Sequence, residues 1–145
     1  MSLFQGGGMT RKSFSVRIFL QDGCAGGVKI VSRSKWSGRG LVIPRSALAA
    51  ELDRAELKDP GVYLLSAPAA AADRPSLCIG AADPVCDGLA RCCADEQGWT
   101  TAIIFTCKED RLSYAQCRFI VERLLQLARS ADITPTSCVD GDEPA

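Results

Sequence analysis

Two short apolar segments, each flanked by glycine, constrain the fold of this chain more than any other feature. The first is residues 61–65 (GVYLL) and the second is residues 77–80 (LCIG). Apolar runs of this length, bounded by turn residues, are typical of buried strands. The segment between them, 67–75, is rich in alanine and proline, so we expect the two strands to pair across a loop.

Further segments have the periodicity of regular structure. Alternating apolar residues predict a strand over 13–20, and turn residues after it predict a hairpin partner over 28–32. Ser113 with Gln116 forms a capping-box pattern that begins a helix. The apolar face of this helix consists of Cys117, Ile120, Val121, Leu124 and Ala128. The remaining predicted elements are helices over 46–57 and 84–94 and a strand over 101–106.

The composition indicates one globular domain. The chain has 145 residues, of which 47% are hydrophobic and 23% charged, enough for one core. No apolar run reaches the ~20 residues of a membrane span. We interpret residues 1–12 as a flexible leader, 13–131 as the domain with a basic N-terminal strand extension, and 132–145 as a disordered acidic tail. Because the leader lacks the charged and apolar regions of a signal peptide, we expect a cytoplasmic protein.

The two glycine-flanked strands resemble the signature pair of the GIY-YIG nuclease family. The matching residues are Gly61, Val62 and Tyr63 in the first strand and Cys78, Ile79 and Gly80 in the second. Segments 41–45 and 99–105 also resemble a bacterial branch of the family, so the resemblance covers about residues 14–131. It implies an α/β fold of α+β type, a small sandwich in which a central, mainly antiparallel sheet is flanked by helices.

The resemblance also implies hydrolysis of DNA phosphodiesters with one divalent metal, Mg²⁺ or Mn²⁺ in an active domain. Carried over residue by residue, the first family tyrosine falls on Tyr63 and the second on Cys78. The catalytic arginine falls on Gly88, a helix-end histidine on Cys93, and the metal-binding glutamate on Val121. Only Tyr63 is retained, so we expect an impaired catalytic site without a metal ligand.

Two nearby residues are candidate substitutes. Arg91 lies one helical turn after Gly88, and a long side chain there is an alternative source of positive charge. Glu122 is the only carboxylate close to Val121, but the helical period rotates it about 100° away from the apolar face. We therefore retain Tyr63 and Arg91 as candidate catalytic residues and assign no metal ligand.

Positive charge is concentrated at the start of the chain. Residues 1–45 hold eight lysines and arginines against the single acid Asp22, a net charge of +7, whereas the whole chain is neutral. The candidate nucleic-acid-binding residues in this region are Arg33, Lys35, Trp36, Arg39 and Arg45. Cations interleaved with an aromatic ring are typical of a surface that contacts phosphates and stacks on bases. The alternative is a solvated strand edge with Trp36 in the core.

The eight cysteines fit no standard metal motif. The chain has no Cys-x-x-Cys pair and no histidine, so zinc-finger spacings and a Cys-His catalytic pair are absent. Cys78, Cys107 and Cys117 occupy apolar positions, where we expect buried free thiols. A thiolate metal site at Cys86, Cys92 and Cys93 is the lesser alternative. Disulfides are not expected in a cytoplasmic protein.

Three functions remain open from the sequence. The first is a nuclease-like domain with an impaired site that acts as a nucleic-acid-binding or interaction module, with DNA favoured over RNA. The second is an active metal-dependent endonuclease, that is, a hydrolase. The third is a structural subunit that binds a protein partner. Whether the chain is an enzyme is not decided by its sequence, and a membrane partner is not expected.

Overall fold

The computed structural model describes residues 13–69, 75–95 and 98–137. The predicted leader and the last eight residues lie outside these ranges. The strands are β1 (Val16–Leu20), β2 (Lys29–Arg33), β3 (Gly38–Pro44), β4 (Gly61–Ala67), β5 (Ser76–Ala82), β6 (Thr101–Cys107) and β7 (Thr134–Ser137). The helices are α1 (Arg45–Glu51), α2 (Val85–Asp95) and α3 (Tyr114–Ser130), with a 3₁₀ turn at Ala55–Lys58.

The strands form one seven-stranded sheet within the described ranges, in the order β1-β2-β3-β6-β4-β5-β7. All neighbouring pairs are antiparallel except β5 and β7, which run parallel. The two glycine-flanked strands pair as β4 and β5, with Tyr63 opposite Gly80. This sheet with flanking helices confirms the predicted fold class, a mixed α/β sandwich.

Two apolar clusters cover opposite faces of the sheet, because successive strand residues point to opposite sides. On one face, which we call the α2 face, Tyr63 and Leu65 of β4 pack with residues of α1, the 3₁₀ turn and α2. On the other, the α3 face, Val62 and Leu64 pack with α3. Helix α3 contacts β4, β5 and β7. The α3 face is therefore most fully covered at the end of the sheet away from β1.

The local sequence explains several elements. Helix α3 begins after the predicted capping box, in which Ser113 Oγ accepts from the Gln116 N–H at 3.1 Å and Gln116 Oε1 accepts from the Ser113 N–H at 2.8 Å. The predicted helix over 46–57 is corrected. It is shorter, and a 3₁₀ turn follows it instead. Arg54, just before the 3₁₀ turn, links α1 to the turn through ion pairs with Glu51 and Glu56.

The predicted disordered tail is corrected at its start. Residues Thr134–Ser137 form β7, which pairs with β5 from Ser76 to Ile79. The acidic residues beyond Ser137 lie outside the described ranges. None of the described helices is long and apolar enough to cross a membrane.

Candidate nucleic-acid interface

Tyr63, which matches the first tyrosine of the family motif, lies inside the protein. Tyr63 is 1% exposed and belongs to the core of the α2 face. Helix α2 packs directly over it at Gly88, where an added Cβ would lie 3.1 Å from Tyr63 Cε2 and 2.5 Å from the Ala82 Cβ. Glycine is required there by this close approach, so an arginine cannot enter without displacing α2.

Val121, where the resemblance predicts a metal-binding glutamate, lies on the other side of the sheet. Val121 is 1% exposed and packs in the cluster beneath α3, whereas Tyr63 is in the cluster beneath α2. The sheet separates the two side chains. Arg91 lies on the exposed side of α2, and Glu122 is exposed on α3. Cys78 lies with Tyr63 in the cluster beneath α2, and Cys93 packs against that cluster, so Val121 is the carried-over position that the sheet separates from the others.

The two cysteines at positions carried over from the family, Cys78 and Cys93, differ in their covalent state and acidity. Cys78 is disulfide-bonded, which corrects the expectation that it is a free buried thiol. Its Sγ also lies 3.2 Å from the Sγ of Cys92, a free thiol on α2. Burial, together with the neighbouring Cys92, raises the pKa of Cys93 to about 11. Cys93 is thus a neutral thiol at physiological pH and cannot act as a base in the way a histidine does.

These residues do not fit a divalent-metal site. Val121 supplies no oxygen ligand, and oxygen ligands are what Mg²⁺ requires. Among the residues that the structure describes, no three His, Cys, Asp or Glu side chains lie together where they could hold a metal ion. That search covers Cys86, Cys92 and Cys93, so it also gives no support to the thiolate alternative.

The predicted basic surface divides into two parts. Arg39 and Arg45 have structural contacts. Arg39 Nε donates to Thr106 Oγ1 at 2.9 Å, and its guanidinium pairs with Asp59 at 3.4 Å. The Arg45 guanidinium lies 4.8 Å from the ring centre of the buried Trp99 and donates to its carbonyl oxygen at 3.0 Å. These contacts orient both side chains toward the protein.

The other part forms an open basic cleft at the end of the sheet. Arg33 and Lys35 line it together with Arg17 of β1 and Lys108, which follows β6. The cleft has a volume of about 480 Å³. Its lining residues include four cations, three serines and no acid: Ser15, Val16, Arg17, Ser32, Arg33, Ser34, Lys35 and Lys108. We call this the basic cleft.

Backbone geometry holds the cleft together. Lys35 has a φ of +64°, in the left-handed region, and forms the tight turn between β2 and β3. The Lys108 N–H donates to the Ser37 carbonyl at 2.6 Å, which ties the end of β6 to this turn. Trp36 follows Lys35, rests on Gly38 and is 40% exposed. An aromatic ring therefore lies beside the cations, and the alternative that placed Trp36 in the core is wrong.

Two residues of the cleft were not selected from the sequence. Arg17 lies opposite Ser32 in the β1–β2 pairing, so the predicted hairpin could have placed it at the same end of the sheet as Arg33, which is opposite Val16. Lys108 is distant in sequence, and only the β3–β6 register, with Gly38 opposite Cys107, brings it near. No local pattern predicts that pairing.

Comparison with known proteins gives no further assignment. No family model, no curated protein and no solved structure matches the chain.

Proposed function

We propose that this protein binds nucleic acid through the basic cleft. The observation that carries the proposal is that Arg17, Arg33, Lys35 and Lys108 line one open cleft whose lining contains no acid. Four cations at one site attract a polyanion strongly, because they release condensed counterions when they contact phosphates. The serine hydroxyls around them are donors of the kind that commonly bind phosphate oxygens.

The same cleft suggests which form of nucleic acid is bound. The half-exposed ring of Trp36 lies beside Lys35, and a basic groove next to an aromatic ring is typical of proteins that bind single strands by stacking. The described contacts offer no helix for insertion into a major groove at this end of the sheet. We infer weak, sequence-independent binding, with Kd on the order of 10⁻⁴–10⁻⁶ M at physiological salt. DNA is the favoured ligand.

We extend the proposal to the family that the sequence resembles. We propose a GIY-YIG-like domain that has lost catalysis and retains nucleic-acid binding, in the cytoplasm. The loss of catalysis is supported by the enclosure of Tyr63 under α2 and by the position of Val121 on the opposite face of the sheet. Disulfides are uncommon in cytoplasmic proteins. The oxidation state of Cys78 in cells therefore tests the proposed location, because the structure has this residue in a disulfide.

A fluorescence-anisotropy titration tests the binding. Labelled single-stranded DNA, duplex DNA and RNA of equal length are titrated at several salt concentrations. Four phosphate contacts predict that log K falls against log salt with a slope of about −3 for single strands. Incubation of the same DNAs with Mg²⁺ or Mn²⁺ tests cleavage, and we expect none.

A pair of matched variants locates the site. Lys35→Glu with Lys108→Glu reverses two charges in the cleft and should remove most of the binding. Arg123→Glu with Arg129→Glu makes the same change in net charge on exposed positions of α3 and should leave most of it. Equal loss in both double variants would mean that only net charge matters. That outcome would contradict the proposal.

A further inference from the structure

The outer strand of the described sheet, β1, leaves apolar residues in water. All five residues of β1 are exposed, with Ile18 at 55% and Phe19 at 57%, and Phe14 just before the strand is 61% exposed. Edge strands of monomeric proteins are commonly protected by proline, bulges or inward charges. β1 contains no proline, glycine or acid. Its one charged residue is Arg17, and an edge with four apolar residues out of five is a template for pairing with another strand.

The main chain of β1 has its free hydrogen-bonding groups at defined residues. The Gln21 N–H donates to the Val28 carbonyl across the β1–β2 hairpin. In an antiparallel pair, the residues that bond to the neighbour alternate along the strand. Phe19 and Arg17 therefore bond toward β2. The N–H groups of Val16, Ile18 and Leu20 and the C=O groups of Val16 and Ile18 point toward the open edge.

We propose that β1 pairs antiparallel with β1 of a second copy of this chain, around a two-fold axis at Ile18. This register places Ile18 opposite Ile18 of the second copy and Val16 opposite Leu20. Val16, Ile18 and Leu20 then each lie opposite a β1 residue of the second copy. If the axis moves by one residue, either Val16 or Leu20 lies opposite a residue outside β1. The carbonyl of Leu20 already accepts from the Gly23 N–H. The bonds that define the register are therefore those between the two Ile18 residues and from Leu20 N–H to Val16 C=O.

The side chains of β1 are complementary to themselves in this register. Val16, Ile18 and Leu20 share the α3 face, because Ile18 lies opposite Val31, so that face gains a continuous apolar row across the two copies. On the α2 face, Arg17 lies opposite Phe19 of the second copy, and a guanidinium beside an aromatic ring is a favourable pair. No like charges lie directly opposite each other.

The exposed area suits a weak dimer. A phenylalanine that is more than half exposed leaves roughly 100 Å² of aromatic surface in water. The ring of Phe14 packs against Arg33 and lies outside the paired strand, so the interface consists of Phe19, Val16, Ile18 and Leu20 of each copy. Its area is below the lower limit of about 1,000 Å² that a stable specific interface buries in total. We therefore expect the dimer to form at high micromolar concentration, with dissociation on dilution. Val16 and Arg17 also line the basic cleft, so the dimer is measured without nucleic acid.

Hydrogen exchange of the unmodified protein tests the pairing directly. Amide exchange is measured by nuclear magnetic resonance over a wide concentration range, in parallel with sedimentation equilibrium for mass. The amides of Ile18 and Leu20 should gain protection as the dimer forms. The amides of Arg17 and Phe19, which bond to β2, should be protected at every concentration.

Variants separate this surface from any other. Ile18→Lys places two like charges opposite each other at the axis, and it should weaken dimerisation by about tenfold or more. Leu127→Lys introduces the same change at a similarly exposed residue of α3, 49% exposed, and should leave the dimer unchanged. A chain that stays monomeric at millimolar concentration would overturn the proposal. So would a dimer in which the Ile18 amide remains unprotected, whether or not Ile18→Lys folds.

Discussion

The substitution Val121→Glu tests whether the position at which the family resemblance predicts a glutamate is available to a metal. Val121 is 1% exposed and lies in the cluster beneath α3. Removing a buried valine forfeits up to about 1.5–3 kcal/mol of burial, and placing an unpaired carboxyl there costs a further 2–7 kcal/mol. We expect a loss of about 3.5 kcal/mol or more, a large share of the 5–15 kcal/mol that stabilises a typical domain.

The pH dependence identifies the cause. Burial raises the pKa of the introduced carboxyl above its unfolded value of about 4.3. Between the two pKa values only the native state holds the proton. Stability should therefore fall as pH rises above about 4.3, by up to about 1.36 kcal/mol per pH unit. Val121→Gln has nearly the same shape and does not titrate, so the difference between the two variants isolates ionisation.

Urea denaturation at several pH values, with and without Mg²⁺, measures these free energies. We expect Val121→Glu to become steadily less stable than Val121→Gln with rising pH and to gain nothing from Mg²⁺. Equal stability of the two variants near pH 8, with extra stability in Mg²⁺, would show that the position opens to a metal site. The reasoning that places Val121 in a sealed layer would then be refuted.

Three further outcomes follow from local contacts. Glu56→Gln should cost about 1 kcal/mol at neutral pH. The hydrogen bond from Arg54 lowers the pKa of Glu56. In urea denaturation, the extra stability of the wild type over Glu56→Gln should therefore disappear as the pH falls through this lowered pKa. Gly88→Ala should lower the thermal midpoint despite the better helix propensity of alanine, because its Cβ would overlap β5 and the overpacking costs about 1–3 kcal/mol. A higher midpoint would contradict this packing. Iodoacetamide at neutral pH should modify the exposed Cys24 well before Cys93, whose pKa is about 11, as peptide mass spectrometry can show.

Local patterns predicted the elements whose signals are contained in one segment. The capping box and the apolar period of α3 are examples, because both depend on residues within one or two helical turns. Strand β7 was missed because Thr134 to Ser137 has little apolar character, and it forms only because β5 offers an edge to pair with. Tertiary pairing decided that element.

The basic surface shows the same division. Composition indicates where the cations are concentrated, but not which of them face solvent. Arg33 and Lys35 line the cleft. Arg39 and Arg45 instead form hydrogen bonds to Thr106 and to the Trp99 carbonyl. That distinction depends on the face of each strand residue and on partners such as Asp59 and Trp99, which are distant in sequence. For the same reason, sequence comparison by motif could not show that Tyr63 and Val121 are separated by the sheet.

A chemical-shift map of the ¹⁵N-labelled protein during titration with a short single-stranded DNA is the most direct test of the central claim. We expect the largest amide changes at Arg17, Ser34, Lys35 and Lys108, with a change at the Trp36 indole. They should weaken at higher salt. Changes confined to α2 around Gly88, or no changes at low salt, would contradict the claim that the basic cleft binds nucleic acid.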